Sequence, residues 1–229
     1  ILCSPSNPTG SVYSLEELEG LAEVLRQHPE VLVIADEFYE HINYVGKHAS
    51  IATLPDMQER TAIINGVSKA YAMTGWRIGF VAAPLALAKA VNKLQGQYTS
   101  GAGSISQKAS VAAFNGDQTP VEEMRQAFLR RKNLIVRLAK EIPGFEGNDP
   151  EGAFYLFPKC SSYFGKTDGT TTIRTSDDFA LYLLQEAHVA CVGGDSFGSP
   201  QCFRMSYATS DENIVEAMRR IKEACAKLK

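Results

Sequence analysis

No run in this chain is long and apolar enough to read as a membrane span, and no two cysteines have the Cys-x-x-Cys spacing of a redox or zinc motif. The five cysteines (Cys3, Cys160, Cys191, Cys202 and Cys225) are odd in number and widely spread, which argues against a disulfide framework. They read as reduced thiols, and the expected compartment is cytoplasmic. His28, His41, His48 and His188 are scattered, so no metal site is expected from their spacing. Charge of either sign is not in excess: Lys+Arg 23 against Asp+Glu 26 gives a net charge of −3. That balance makes no electrostatic case for nucleic acid or for an anionic membrane surface. Internal repeats and low-complexity tracts are missing as well.

What remains is the composition of an ordinary packed protein. The 229 residues, 45% of them apolar, allow one large or two modest domains around a sizeable core. Ser14 and Glu17 make a capping box, and Leu15, Leu18, Leu21, Ala22 and Leu25 continue at helical spacing to about Gln27. Val31 to Ala35 is a continuous apolar run rich in β-branched residues, the pattern of a parallel strand covered on both faces, and Asp36 closes it. Further strands are expected at Ala62–Asn65 and Ile78–Ala82, and helices at Leu85–Leu94 and Ser104–Asn115. Gly116 to Pro120 is the best domain boundary, with Thr119 as the cap of an amphipathic helix and Glu122 as its box partner. Beyond it, strands at Ala153–Phe157, Ala190–Val192 and Phe203–Tyr207 mix with helices at Asp177–Glu186 and Asp211–Lys227, and Tyr163 to Thr175 reads as an exposed loop. The expected organisation is an α/β unit over residues 1–118, with a mostly parallel sheet flanked by helices, and a smaller α+β domain over 119–229. Because Ile1-Leu2-Cys3 reads as the tail of a buried strand, the chain is expected to be the C-terminal portion of a longer polypeptide.

The chemistry concentrates at Ser68-Lys69-Ala70-Tyr71-Ala72-Met73-Thr74-Gly75-Trp76-Arg77. An amine beside a hydroxyl, with a guanidinium eight positions on, suits an aldehyde cofactor bearing a phosphate. Three other stations accompany it: Asn7-Pro8-Thr9-Gly10, Asp36-Glu37-Phe38-Tyr39 and Phe203-Arg204-Met205-Ser206-Tyr207. Taken singly, each has a plainer reading. Asn7-Pro8 is a turn signal, Asp36 a strand-end aspartate, Tyr39 a core aromatic, Ser68 a turn cap, and Trp76 packing beside the site.

Together, and in this order, the four stations resemble the class I aminotransferases, which depend on pyridoxal 5'-phosphate and have the type I (aspartate aminotransferase) fold. Ala72 to Arg77 and Gly152-Ala153-Phe154-Tyr155-Leu156-Phe157 look most like the bacterial and plant branch that uses aspartate, sometimes with prephenate as acceptor. The resemblance runs from Ser4 to the C-terminal helix. At Val192-Gly193-Gly194-Asp195 the sequence departs from it, since the family usually has a proline before the second glycine.

The resemblance implies the roles. Lys69 forms the Schiff base and shuttles the proton at the substrate Cα, Asp36 holds the proton on the pyridine nitrogen, and Tyr39 with Asn7 binds the cofactor's 3′ oxygen. Ser68 and Arg77 hold the phosphate. Arg204, with Asn7 beside it, binds the substrate α-carboxylate. Lys69, Asp36 and Tyr39 are thus the expected catalytic residues. The implied reaction exchanges an amino group between aspartate or glutamate and a 2-oxo acid, in a homodimer when complete. Two alternatives stay open: a lyase or synthase using the same cofactor, and a folded piece without activity.

Overall fold

A computed structural model describes Ile1–Lys229. Contacts divide it into two compact units, one of Ile1–Ser6 with Ser11–Arg125 and the other of Asn7–Gly10 with Gln126–Lys229.

The first unit carries a four-stranded sheet in the order β1 (Leu2–Cys3), β2 (Val33–Asp36), β3 (Thr61–Asn65), β4 (Phe80–Ala82). β1, β2 and β3 are parallel, and β4 runs antiparallel to β3. The register sets Asp36 between Cys3 and Ile64, at the C-terminal edge where open α/β sheets present their ligands. Between β1 and β2 runs α1 (Leu15–Arg26), started by the Ser14–Glu17 capping box in both directions. Its Leu18 and Ala22 pack against Val33 and Ala35, with Ile51, Leu54 and Met57 completing the core. Only that face of β2 is closed. Ile34 points the other way and is 42% exposed, so the expected burial on both faces is not found in this strand. Its residues alternate as they do in a half-covered sheet.

After β4 the chain forms α2 (Leu85–Tyr98) and α3 (Ser104–Asn115), the latter closed by Gly116. Then comes α4 (Thr119–Ala139). Its start differs from the expected Thr119 cap: the Glu122 amide already bonds to Gln118 O, and Asp117 Oδ1 accepts from the Thr119 amide and hydroxyl. Those two donors hold the Asp117 carboxyl below the usual carboxylate range. Glu122 pairs with Arg125.

The second unit has a three-stranded antiparallel sheet, β5 (Tyr155–Leu156), β7 (Phe203–Ser206) and β6 (Val192–Gly193) in that spatial order. Two helices, α5 (Ser176–Ala187) and α6 (Asp211–Lys227), complete it. An aromatic cluster forms its core. Phe179 packs edge-on against Phe203 at 5.1 Å and stacks on Tyr163 at 5.2 Å. The stretch from Tyr163 to Thr175 is therefore not simply exposed: Tyr163 and Ile173 are both buried, apolar anchors within a polar segment. At the departure noted above, Gly193 has an ordinary extended backbone, but a Cβ there would run into the Asp177 carboxylate at the start of α5. Glycine makes room for that helix.

Candidate active site

In the first unit the predicted residues gather at the ends of β2 and β3. The Glu37 amide donates to Ile64 O at 2.9 Å, carrying the strand pairing one residue beyond Asp36. Asp36 Oδ1 then accepts from the Phe38 amide at 3.3 Å, which turns the chain. Tyr39 follows in the turn and is buried. Asn65, the last residue of β3, donates through Nδ2 to Glu40 Oε1 and accepts at Oδ1 from the Gly66 amide, both at 2.7 Å. It thereby ties the Tyr39 turn to the segment that carries Ser68 and Lys69.

That segment runs unusually close to its neighbours. A Cβ on Gly66 would stand 2.8 Å from Gly79 Cα and 2.9 Å from the Phe38 ring, so only glycine fits. Past it, Lys69 is half-buried with Nζ 5.7 Å from the centre of the Tyr39 ring, within cation–π reach. The Ser68 hydroxyl makes no hydrogen bond within the chain. Arg77 caps a short 3-10 turn (Thr74–Trp76) in the left-handed backbone region at φ 52°, a conformation that costs a non-glycine residue about 1–2 kcal/mol. Nη1 donates to Thr74 O at 2.8 Å, and the rest of the exposed guanidinium has no partner in the chain. The structure thus places an amine, a carboxylate, a phenol, a hydroxyl and a guanidinium on two adjoining loops, those that follow β2 and β3. Trp76 is 45% exposed and packs less than the sequence suggested.

The second unit holds Asn7 and Arg204. Arg204 sits in β7 between the buried residues Phe203 and Met205. Its guanidinium carbon lies 4.6 Å from the centre of the Tyr155 ring and 4.8 Å from that of Phe197. Nη1 donates to Asn7 Oδ1 at 2.7 Å, and no carboxylate of the chain pairs with it. A half-buried guanidinium with no carboxylate partner, flanked by two rings and oriented by an amide, has the charge and the donor geometry that suit a planar anion.

In each unit, residues beside these groups do not stand out in the sequence. Tyr155 lies within the Gly152 to Phe157 motif without a role of its own, and Phe197 gives no signal at all. Glu37 is buried although it stands next to Asp36 in the sequence, with Ser50 Oγ 2.6 Å from its Oε1 and His48 Nε2 3.1 Å from its Oε2. One oxygen or nitrogen each of Glu37, Glu40 and His48 lies within 4.8 Å of the others, a grouping that the scattered histidines do not announce. A separate cleft of about 770 Å³, lined by His41, Asn43, Tyr44, Gln118 and Arg125 among others, contains none of the predicted site residues.

Comparison with known proteins gives the family and the fold. The family model described as "Aminotransferase class I and II" matches residues 1–221. The chain is 49% identical to a bifunctional aspartate aminotransferase and glutamate/aspartate-prephenate aminotransferase from Petunia hybrida, covering all of this chain and 49% of that protein. It is 48% identical to an aspartate aminotransferase from Rhizobium meliloti, over 100% of this chain and 56% of the relative. A crystal structure of the aspartate aminotransferase from Rhizobium meliloti superposes with a TM-score of 0.94 at 47% identity, covering 100% of this chain and 58% of that one. An aspartate aminotransferase from Thermus thermophilus solved with maleate gives 0.87 at 35% identity, over 97% and 56%. The chain therefore spans about half the length of the relatives it matches, with the α/β architecture of their type I fold. On the match across residues 1–221 and these identities, the chain belongs to the class I and II aminotransferases.

Proposed function

We propose that the whole protein is an aminotransferase that moves an amino group between an acidic amino acid and a 2-oxo acid with pyridoxal 5'-phosphate. Aspartate and glutamate are the proposed donors, as the names of the relatives suggest, and prephenate is a candidate acceptor for the same reason. The observation that carries the reading is Lys69, whose amine is held over the Tyr39 ring on the loop after β3, beside the strand that ends in Asp36.

The donor set of the first unit matches the cofactor group by group. Pyridoxal phosphate, when bound, supplies an aldehyde for the amino group and a pyridine ring that spreads the charge developing at Cα. The chain's residues do the rest. Lys69 Nζ is the amine that would hold the aldehyde, and as a free amine it would take and return the proton at Cα. Asp36 holds a proton on the ring nitrogen, since an anion opposite a pyridinium favours its charged form. The Tyr39 hydroxyl binds the ring oxygen. Ser68 and the unpartnered part of Arg77 grip the phosphate, a dianion for which a guanidinium fork is well shaped. In the second unit, Arg204 binds the α-carboxylate, and Asn7 keeps the guanidinium turned for it while binding the ring oxygen by its amide.

We further infer a cytoplasmic homodimer. Five free thiols suit a reducing compartment. Leu85, Leu94, Tyr98, Ile105 and Val111 on α2 and α3 are more than half exposed, which suits a covered face. Sedimentation of the whole protein tests the dimer.

The function itself is tested by adding pyridoxal phosphate to the whole apoprotein, then aspartate, then 2-oxoglutarate, and following cofactor absorbance. The expected record is a bound-cofactor band, its conversion to the amine form by aspartate, and its return with the oxo acid. Binding followed by release of ammonia or loss of the substrate side chain would instead establish a lyase.

A further inference from the structure

We propose that Glu37 is a positioning residue whose buried carboxylate anchors the strand end and turn that present Asp36 and Tyr39. The inference rests on the function proposed above for those two residues, and it concerns a third that touches neither cofactor nor substrate.

Successive residues at a strand end point to opposite faces. Asp36 is half-exposed, and Glu37 turns the other way with only 6% of its surface accessible. A carboxylate is not buried there without partners. Ser50 Oγ donates to Oε1 at 2.6 Å, and the His48 ring, its side chain only 12% exposed, packs beside Oε2 with Nε2 at 3.1 Å but without hydrogen-bond geometry. Ser50 and His48 belong to the segment that enters a 3-10 turn (Ile51–Thr53), and Ile51 sits in the core between α1 and the sheet. The carboxylate therefore links the site loop, through Ser50, to the segment that enters the core between α1 and the sheet. The Glu37 backbone is fixed as well, its amide to Ile64 O at 2.9 Å and its carbonyl to the Glu40 amide at 3.0 Å. With main chain and side chain both held, residue 37 leaves little freedom to the residue before it or to the turn after it. The grouping of Glu37, Glu40 and His48 is better explained this way than as a cation site, since Ser50 and Asn65 already occupy an oxygen of each carboxylate.

The test uses the whole protein and three variants, Glu37→Gln, Glu37→Ala and Ser50→Ala. Glu37→Gln keeps an acceptor for Ser50, whereas the alanines remove one end of the anchor. The first readout is amide hydrogen exchange without cofactor, which stands whether or not the proposed reaction is right. Expected is an acceleration of about tenfold or more at residues 37–42 in both alanine variants, with β3 unchanged and Glu37→Gln near wild type. The second readout is the ratio of bound pyridoxal phosphate's absorbance bands at fixed pH. This ratio reads the ring nitrogen and oxygen, and it should shift in the alanine variants and recover in Glu37→Gln. Unchanged exchange in both alanine variants would overturn the anchor. Accelerated exchange with an unchanged absorbance ratio would overturn its link to Asp36 and Tyr39. If Glu37→Ala does not fold, Ser50→Ala, which removes only a hydroxyl, decides both points.

Discussion

Arg204 donates from Nη1 to Asn7 Oδ1 at 2.7 Å, across 197 positions of sequence. The amide fixes one edge of a guanidinium whose faces lie against Tyr155 and Phe197, and the remaining donors are left to a ligand. Arg204→Lys keeps the charge and loses both the fork and the flat surface that stacks between the rings. Expected is a rise in KM for every amino-acid substrate of about tenfold to a hundredfold, as charge-assisted hydrogen bonds contribute about 1.5–3 kcal/mol. Cofactor affinity should remain. Weakening confined to dicarboxylic substrates would show that Arg204 reads the side chain instead.

Lys69→Ala should abolish transamination and covalent attachment of the cofactor together, because the function assigns both to one amine. Borohydride reduction followed by peptide mapping checks this. The wild-type label should fall on Lys69, and a label on another lysine would remove the assignment.

Asp36→Asn keeps the size of the side chain and its turn-forming oxygen but cannot hold the ring proton. Attachment of the cofactor should survive while turnover falls about a hundredfold or more. Stopped-flow measurement of Cα deuterium exchange isolates the affected step. An effect under about tenfold, or about 1.4 kcal/mol, would contradict the electron-sink role.

The parts of this fold that were legible in the sequence are those set by local rules. The Ser14–Glu17 box started α1 as expected, and Gly116 closed α3. Apolar runs marked the cores of β2 and β3, and ordered motifs marked the lysine, aspartate and arginine stations. What stayed hidden depends on chain brought from elsewhere. Glu37 reads as a surface acid until Ser50 and His48 arrive beside it, and Phe197 reads as a loop aromatic until Arg204 lies against its ring. Tyr163 and Ile173 show the same limit from the other side, since a polar stretch conceals two buried anchors, one of them, Tyr163, stacked on Phe179.

Alkaline pH should destabilise the second unit. Burial pushes the Cys160 thiol up to about 12 and the Cys225 thiol up to about 11, from an ordinary value of 9.0. The unfolded chain releases these protons first, so their contribution is complete below about pH 9 and is lost as pH rises toward 11–12. Urea unfolding at pH 8 and pH 10.5, followed by near-ultraviolet signals of the aromatic cluster, should show a lower midpoint at the higher pH. Cys160→Ala should reduce that difference. An equal drop in Cys160→Ala and wild type would assign the alkaline loss to other groups.

Gly66 and Gly75 make a matched pair for the packing under Lys69. A Cβ at Gly66 would meet Gly79 Cα at 2.8 Å, the Phe38 ring at 2.9 Å and Ile78 O at 3.1 Å. Two of these are backbone atoms of the chain entering β4, and the third is a ring between the two glycines, so no flexible side chain can swing aside. Gly66→Ala must therefore separate β3 from the approach to β4, at the point where the chain turns toward Ser68 and Lys69. Overpacking of this kind costs about 1–3 kcal/mol. Gly75 lies in the same loop, and a Cβ there would meet nothing within 4 Å, so Gly75→Ala should stay within about 0.5 kcal/mol of wild type. Urea midpoints give the stability of each variant, and reduction by borohydride gives the fraction of Lys69 that still takes up pyridoxal phosphate. Gly66→Ala should lower both, because the strain falls on the segment that aims the amine, whereas Gly75→Ala should lower neither. Equal stability in the two variants would mean that β4 shifts freely, and that the close approach at Gly66 plays no part in setting Lys69.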